Sequence, residues 1–145
     1  RMGELAGNML GLQELEVFEE SGIGKIGCFE QELTLAKCCE KVKDAFHLSG
    51  VKVFGNLEKG IRRVAVSPGS GKHMSEIAIE KKADVFITAE IDHHEGIDAV
   101  ARDVMIIDAG HYGLEQIFID DMCEFIKELK LDVVVAPASH PFQIV

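Results

Sequence analysis

The sequence predicts a single α/β unit over residues 1–145, with a mainly parallel sheet and helices on both of its faces. Three short apolar runs, rich in β-branched residues and continuous rather than alternating, occur at 84–88, 103–107 and 132–135. Runs of this kind are typical of strands buried on both faces of a parallel sheet. Amphipathic helical patterns lie between them, and strand–helix alternation favours right-handed crossovers between parallel strands.

The first half of the chain contains shorter and less regular elements. We predict the end of a helix, two strands joined by a glycine-rich turn, a second helix and a short strand, at residues 3–10, 15–18, 25–31, 34–48 and 51–54. Thr34 can cap the second helix through its hydroxyl oxygen, and Gly50 can end it.

The second half repeats one pattern. A strand at 61–66 precedes the loop Pro68-Gly69-Ser70-Gly71, and helical stripes at 74–79, 97–101 and 114–129 alternate with the three apolar runs. The chain shows no internal repeat and no linker, so one unit is the expected organisation.

The composition excludes several classes of partner. The chain has 15 Lys and Arg against 25 Asp and Glu, a formal net charge of −10. This charge repels nucleic-acid phosphates and anionic membranes, so neither is expected as a partner. No apolar run approaches the roughly 18 residues of a membrane-spanning helix. The four cysteines show no CxxC spacing, which indicates a reduced, cytoplasmic protein.

The segment Asp108-Ala-Gly-His-Tyr-Gly-Leu-Glu115 carries the clearest chemistry. It follows a predicted parallel strand, at the edge where open α/β sheets place their ligand crevices. His111 and Glu115 are four residues apart and therefore share one helical face. An imidazole and a carboxylate on one face can form half of a site for Zn²⁺, Fe²⁺, Mn²⁺ or Co²⁺. The alternative is an ordinary hydrogen bond between these two side chains at the start of a helix.

A second polar cluster, Asp92-His93-His94-Glu95, follows the strand DVFITAE. It can be a plain helix start, in which Asp92 is the cap and Glu95 complements the helix dipole. However, several polar residues follow the ends of neighbouring predicted strands: Thr88, Glu90, His93, His94, Asp108 and His111. Their convergence favours a functional crevice at this edge of the sheet.

The residues Gly69, Ser70 and Gly71, followed by Lys72, look like a fragment of a phosphate-binding loop. They lack the full GxxxxGK[ST] spacing, so the signal is weak. The segment can be a tight turn, or an anion cradle made by free N–H groups at a helix start.

Taken together, GSG, ADVFITAEIDHHEGIDA and MIIDAGHYGLE resemble the Nif three-like family of dinuclear-metal hexameric proteins. Many of its members are labelled type-2 GTP cyclohydrolase I homologues. The turn GIGKIG and the tail SHPFQIV also look like the corresponding parts of that family, so the resemblance runs from about Leu5 onwards.

The resemblance implies a Nif three-like α/β fold, a homohexamer and two divalent metal ions per subunit. His111 and Glu115 match the family's GHxxxE ligand pattern. Glu90, His93 and His94 match its crevice-lining segment, where they could orient ligands or transfer protons. The remaining family ligands belong to an N-terminal half with HHP-type and HTNxD-type motifs, and neither motif occurs here. We therefore expect this chain to be the C-terminal portion of a longer family fold.

Three functional hypotheses follow. The leading one is a dinuclear metal-dependent hydrolase acting on a small-molecule substrate. The second is a non-enzymatic oligomeric scaffold or regulatory interaction protein. The third is a nucleotide-binding module that uses the Gly69–Gly71 loop.

Overall fold

The computed structural model describes residues 1–137, 139 and 141–143. His140, Ile144 and Val145 of the tail quoted above lie outside the described residues. The strands are β1 (Gln13–Val17), β2 (Lys25–Thr34), β3 (Lys52–Phe54), β4 (Gly60–Ser70), β5 (Val85–Glu90) and β6 (Met105–Asp108). The helices are α1 (Met2–Met9), α2 (Leu35–Phe46), α3 (Met74–Glu80), α4 (His93–Ala101), α5 (His111–Glu115) and α6 (Ile117–Glu128).

The six strands form one sheet in the order β1-β2-β4-β5-β6-β3. Strands β4, β5 and β6 are parallel, whereas β1–β2, β2–β4 and β3–β6 are antiparallel pairs. The prediction of a mainly parallel sheet is therefore wrong, and the sheet is mixed. Continuous apolar runs identify strands that are buried on both faces, but they do not reveal the direction of the neighbouring strand.

The predicted strand at 132–135 is also wrong. Residues 131–137 adopt neither helix nor strand, and Val134 is 93% exposed. Both sides of β6 are already occupied, by β5 on one side and β3 on the other. The run of valines after α6 therefore cannot pair with β6, and its β-branched composition by itself does not provide another partner strand.

Helices cover both faces of the sheet, as the sequence predicts. Alternate residues of the central strands point to opposite faces because the side-chain period of a strand is two. One set packs with α1, α2 and α5, and consists of Val64, Val66, Val85, Ile87, Met105 and Ile107. The intervening set packs with α3 and α4, and consists of Ala65, Phe86 and Ile106.

Local sequence signals account for the starts of α2 and α4. The Thr34 hydroxyl accepts a hydrogen bond from the Lys37 N–H at 3.2 Å, so the predicted cap of α2 is confirmed. The helical stripe predicted at 114–129 is divided into α5 and α6 at Gln116. The side-chain amide of Gln116 donates a hydrogen bond to the Phe46 carbonyl at the end of α2, at 2.8 Å.

Two of the four cysteines lie in the core. Cys38 and Cys39 are buried on the inner face of α2, while Cys28 and Cys123 are half-buried. Burial raises the pKa of the Cys38 thiol to about 12. A thiol with so high a pKa is a poor nucleophile at neutral pH.

No helix in the described part of the chain is long and apolar enough to cross a membrane.

Candidate functional site

Four of the predicted polar residues, Thr88, Glu90, Asp108 and His111, lie where two parallel strands end side by side. In the register of β5 and β6, Thr88 pairs with Asp108. β5 ends at Glu90, and after β6 the chain turns through Gly110 into α5, which begins at His111. The site therefore lies at the carboxyl edge of the parallel strands, the edge expected for a ligand crevice.

His111 lies between two carboxylates. Its Nε2 atom is 4.0 Å from Glu115 Oε1, one helical turn along α5, and its Nδ1 atom is 3.5 Å from Glu90 Oε2, at the end of β5. The 4.0 Å distance is too long for a hydrogen bond between His111 and Glu115. The two carboxylates thus face opposite sides of one imidazole ring.

The charge of this cluster favours a cation. Glu90 and Glu115 are both substantially exposed, and neither pairs with a lysine or arginine among the residues that the structure describes. Two carboxylates without a lysine or arginine ion pair among the described residues create a negative local potential. A divalent cation would neutralise it.

The turn before His111 is held by Asp108. Gly110 has a φ of +75°, a region that glycine adopts without strain. Asp108 Oδ1 accepts a hydrogen bond from the Gly110 N–H at 3.1 Å, and Asp108 Oδ2 lies 2.8 Å from Lys52 Nζ. Sequence reasoning missed Lys52, because only the pairing of β3 with β6 brings it to this position.

His93 and His94 lie at the start of α4, where both are exposed. Asp92 caps this helix by accepting a hydrogen bond from the His94 N–H at 2.9 Å. The two imidazole rings are 5.5 Å apart, and His93 is 6.4 Å from the Phe54 ring. Within the described chain, the ring contacts of this pair are with each other and with Phe54, and not with His111.

Gly69, Ser70 and Gly71 are arranged as a strand end rather than as an open loop. Ser70 is the last residue of β4 and pairs with Glu90 across a register shift. The Gly71 N–H donates to the Glu90 carbonyl at 3.1 Å. That N–H is therefore not free to bind an anion.

An open cleft of about 670 Å³ borders Glu115 and Gly69. Its other lining residues include Ile23 from the glycine-rich turn, Pro68 from β4 and Phe118 from α6. Arg1 also lines the cleft, and a mainly apolar lining with one carboxylate and one guanidinium can accept a small organic molecule. Sequence reasoning missed these apolar residues, since they come from segments that are distant along the chain.

The residues present fit part of a metal site. His111 and Glu115 offer the imidazole and carboxylate donors that borderline divalent ions prefer. In residues 1–137, 139 and 141–143, no three His, Cys, Asp or Glu side chains come close enough together to hold a metal ion. His111 and Glu115 could therefore supply two donors at most, and a complete site would need further ligands.

Comparison with known proteins identifies the family. A family model described as Duf34/NIF3 (NGG1p interacting factor 3) matches residues 2–141. The GTP cyclohydrolase 1 type 2 homolog of Lactococcus lactis is 34% identical in an alignment 142 residues long, which covers 92% of this chain and 54% of the relative. The homolog of the same name from Streptococcus pneumoniae is 33% identical in an alignment 149 residues long, gaps included, which covers 92% of this chain and 56% of the relative.

A solved structure agrees with these relatives. The Bacillus cereus protein related to NIF3 superposes with a TM-score of 0.71 at 32% identity, over 84% of this chain and 36% of that protein. The chain thus spans about half the length of the curated relatives. The matched family model, the relatives and the shared fold together show that this chain belongs to the Duf34/NIF3 family.

Proposed function

We propose that this protein binds divalent metal ions through His111 and Glu115 and acts as a metal-dependent hydrolase. The observation that carries the proposal is the position of these two donors on one turn of α5, at the carboxyl edge of the parallel strands. Two ions per subunit is the stoichiometry that the family resemblance implies. A bound divalent ion would lower the pKa of its water and polarise a substrate oxygen.

The chain's own residues have separable roles in this proposal. His111 would bind through Nε2, because that atom faces Glu115. Glu90 then lies beside Nδ1. There its carboxylate would accept a hydrogen bond from the ring N–H and fix the orientation of the imidazole. His93 and His94 would line the approach as proton carriers. The cleft beside Glu115 would hold the substrate.

Metal titration of the full-length protein tests this proposal. After removal of bound metal with a chelator, we expect stoichiometric binding of Co²⁺ or Zn²⁺, measured by elemental analysis and by competition with a chromophoric chelator. His111→Ala and Glu115→Gln should each weaken binding by more than about 100-fold, since even the loss of an outer partner costs 10- to 100-fold.

His47→Asn is the matched control. His47 is an exposed imidazole at the end of α2 with a left-handed backbone, which asparagine tolerates. The control should bind metal as the unchanged protein does. Wild-type affinity in both site variants would refute the assignment of His111 and Glu115.

Because relatives are named GTP cyclohydrolase 1 type 2 homolog, GTP is the first compound to test as a substrate. Its consumption is measured with the metal-loaded protein and with His111→Ala.

A specific surface favours a second candidate, a homo-oligomeric scaffold. Phe118 and Phe125 of α6 and Leu129, the residue that caps its C-terminus, are each about half-exposed. Their spacing of seven and four residues places them on one helical face. An exposed apolar row of this kind is typical of an interaction surface. We propose self-association through it, with a homohexamer as the form that the family resemblance implies.

Light scattering separates the two candidates. A scaffold should form an oligomer whose mass is unchanged by chelation or by His111→Ala, and Phe125→Glu should dissociate it, because a charge would be buried at the interface. Glu124→Gln, next to it in the sequence, is the control. A monomer in every condition would exclude the scaffold and leave the metal proposal untouched.

A further inference from the structure

We infer that Asp108 is a positioning residue that sets the orientation of His111 through the Gly110 turn. Asp108 ends β6, and its side chain is only 11% exposed. Both of its oxygens are used: Oδ1 by the Gly110 N–H and Oδ2 by Lys52 Nζ. This inference rests on the proposed function, because the orientation of His111 matters only if its imidazole binds a ligand.

The helix that carries His111 needs support from outside itself. α5 contains five residues, far fewer than an isolated helix needs to be stable in water. Its first backbone hydrogen bond runs from the Leu114 N–H to the Gly110 carbonyl at 3.1 Å. Asp108 thus holds the N–H of Gly110, the same residue whose carbonyl accepts the first hydrogen bond of the helix.

Lys52 fixes the other side of the Asp108 carboxylate. It comes from β3, and the antiparallel register places it directly opposite Asp108. Its ammonium also lies 5.8 Å from the centre of the Phe54 ring. That ring fills the space beside Gly96 of α4, where a Cβ would come within 2.7 Å of it. The edge strand is therefore packed against α4, and Lys52 reaches the turn from a defined position.

The partly exposed ion pair is not a large source of stability, because water screens the Lys52 ammonium. Its effect is geometrical. A carboxylate held on both sides cannot rotate away from Gly110, so the turn keeps one conformation. We expect loss of Asp108 to affect ligand binding at His111 more than the folding of the chain.

Three variants of the full-length protein test this role: Asp108→Ala, Asp108→Asn and Lys52→Met. Co²⁺ affinity is measured by competition and by the visible absorption of bound Co²⁺. We expect Asp108→Ala to weaken binding by about 10- to 100-fold and to change the absorption spectrum. Asp108→Asn should restore part of the affinity, because its side-chain oxygen can still accept from Gly110. The Co²⁺ affinity of Lys52→Met should lie between that of Asp108→Asn and that of the unchanged protein.

Lys59→Met is the matched control. It removes the ion pair between Lys59 Nζ and Asp103 Oδ1, which are 2.7 Å apart. Asp103 lies in the loop that precedes β6, at the end of the strand away from Asp108. This variant should bind Co²⁺ with unchanged affinity. Wild-type affinity and spectrum in both Asp108→Ala and Lys52→Met would overturn the inference.

Hydrogen exchange of the metal-free protein separates this inference from the proposed function. Faster exchange of the Leu114 amide in Asp108→Ala, with unchanged exchange in the β5 core, would support the positioning role. If the unchanged protein binds no Co²⁺, the proposed function fails, and this exchange measurement alone decides the role of Asp108. Unchanged exchange at Leu114 would then refute it.

Discussion

Replacing Phe86 with alanine is expected to lower the free energy of unfolding by about 4 kcal/mol, the central value for a buried phenylalanine. Phe86 is the second residue of β5 and is fully buried. It packs against Phe18 with ring centres 5.4 Å apart, in the core that α3 and α4 cover. The remaining cavity cannot collapse easily, because β4 and β6 hold the strand on both sides.

Urea unfolding followed by circular dichroism measures this change. Phe118→Ala is the control, since Phe118 is half-exposed on α6 and should cost only about 1 kcal/mol. The double variant Phe18→Ala/Phe86→Ala should lose less unfolding free energy than the sum of the losses in the two single variants, because the two rings contact each other. A loss below about 1.5 kcal/mol for Phe86→Ala would contradict the described packing of this face.

Replacing Gly71 with alanine is expected to cost about 2 to 3 kcal/mol of folding free energy, the range for overpacking a rigid site. A Cβ on Gly71 would lie 2.2 Å from Thr88 Oγ1 and 3.1 Å from the Glu90 carbonyl oxygen. Thr88 is fully buried, and its hydroxyl lies within 3.4 Å of the Gly69 and Glu90 carbonyl oxygens. A β-branched side chain in this environment cannot move aside.

Gly50→Ala is the matched control, because nothing lies within 4 Å of a Cβ at that position. It should change the unfolding free energy by less than about 0.5 kcal/mol. In a Thr88→Ala background, the cost of Gly71→Ala should fall by about 1 kcal/mol, since the clashing hydroxyl is absent. Equal costs for Gly71→Ala and Gly50→Ala would refute the described contact.

The Gly71 prediction also bears on the nucleotide-loop hypothesis. A substitution at Gly71 perturbs the contact between β4 and β5. A loss of nucleotide binding in such a variant would therefore not be specific to anion binding by the loop. Ser70 pairs with Glu90, and the Gly71 N–H is engaged. The geometry therefore favours a structural role for this segment, next to the cleft.

The features that sequence analysis predicted correctly depend on short-range chemistry. The cap at Thr34 needs only a hydroxyl and an N–H three residues later. The shared face of His111 and Glu115 follows from the pitch of a helix. The apolar run at 84–88 indicates a strand buried on both faces, and β5 is such a strand.

The features that were missed depend on which segments become neighbours. Residues 132–135 have the same composition as a buried strand, yet β6 already has a partner on each side. Lys52 carries no local sign of a role, and it reaches Asp108 only because β3 pairs antiparallel with β6. The cleft beside Glu115 likewise combines residues from four separate segments of the chain.

By itself, the sequence determined the α/β class, the positions of β4, β5 and β6, the family and the placement of His111 and Glu115 on one face. Each of these depends on residue periodicity or on a motif of a few residues. Only the tertiary structure decided the mixed direction of the strands, the place of Glu90 beside His111, and the hold of Lys52 and Asp108 on the turn. Those contacts join residues 21 to 56 positions apart, and their geometry comes from strand pairing that no local pattern encodes.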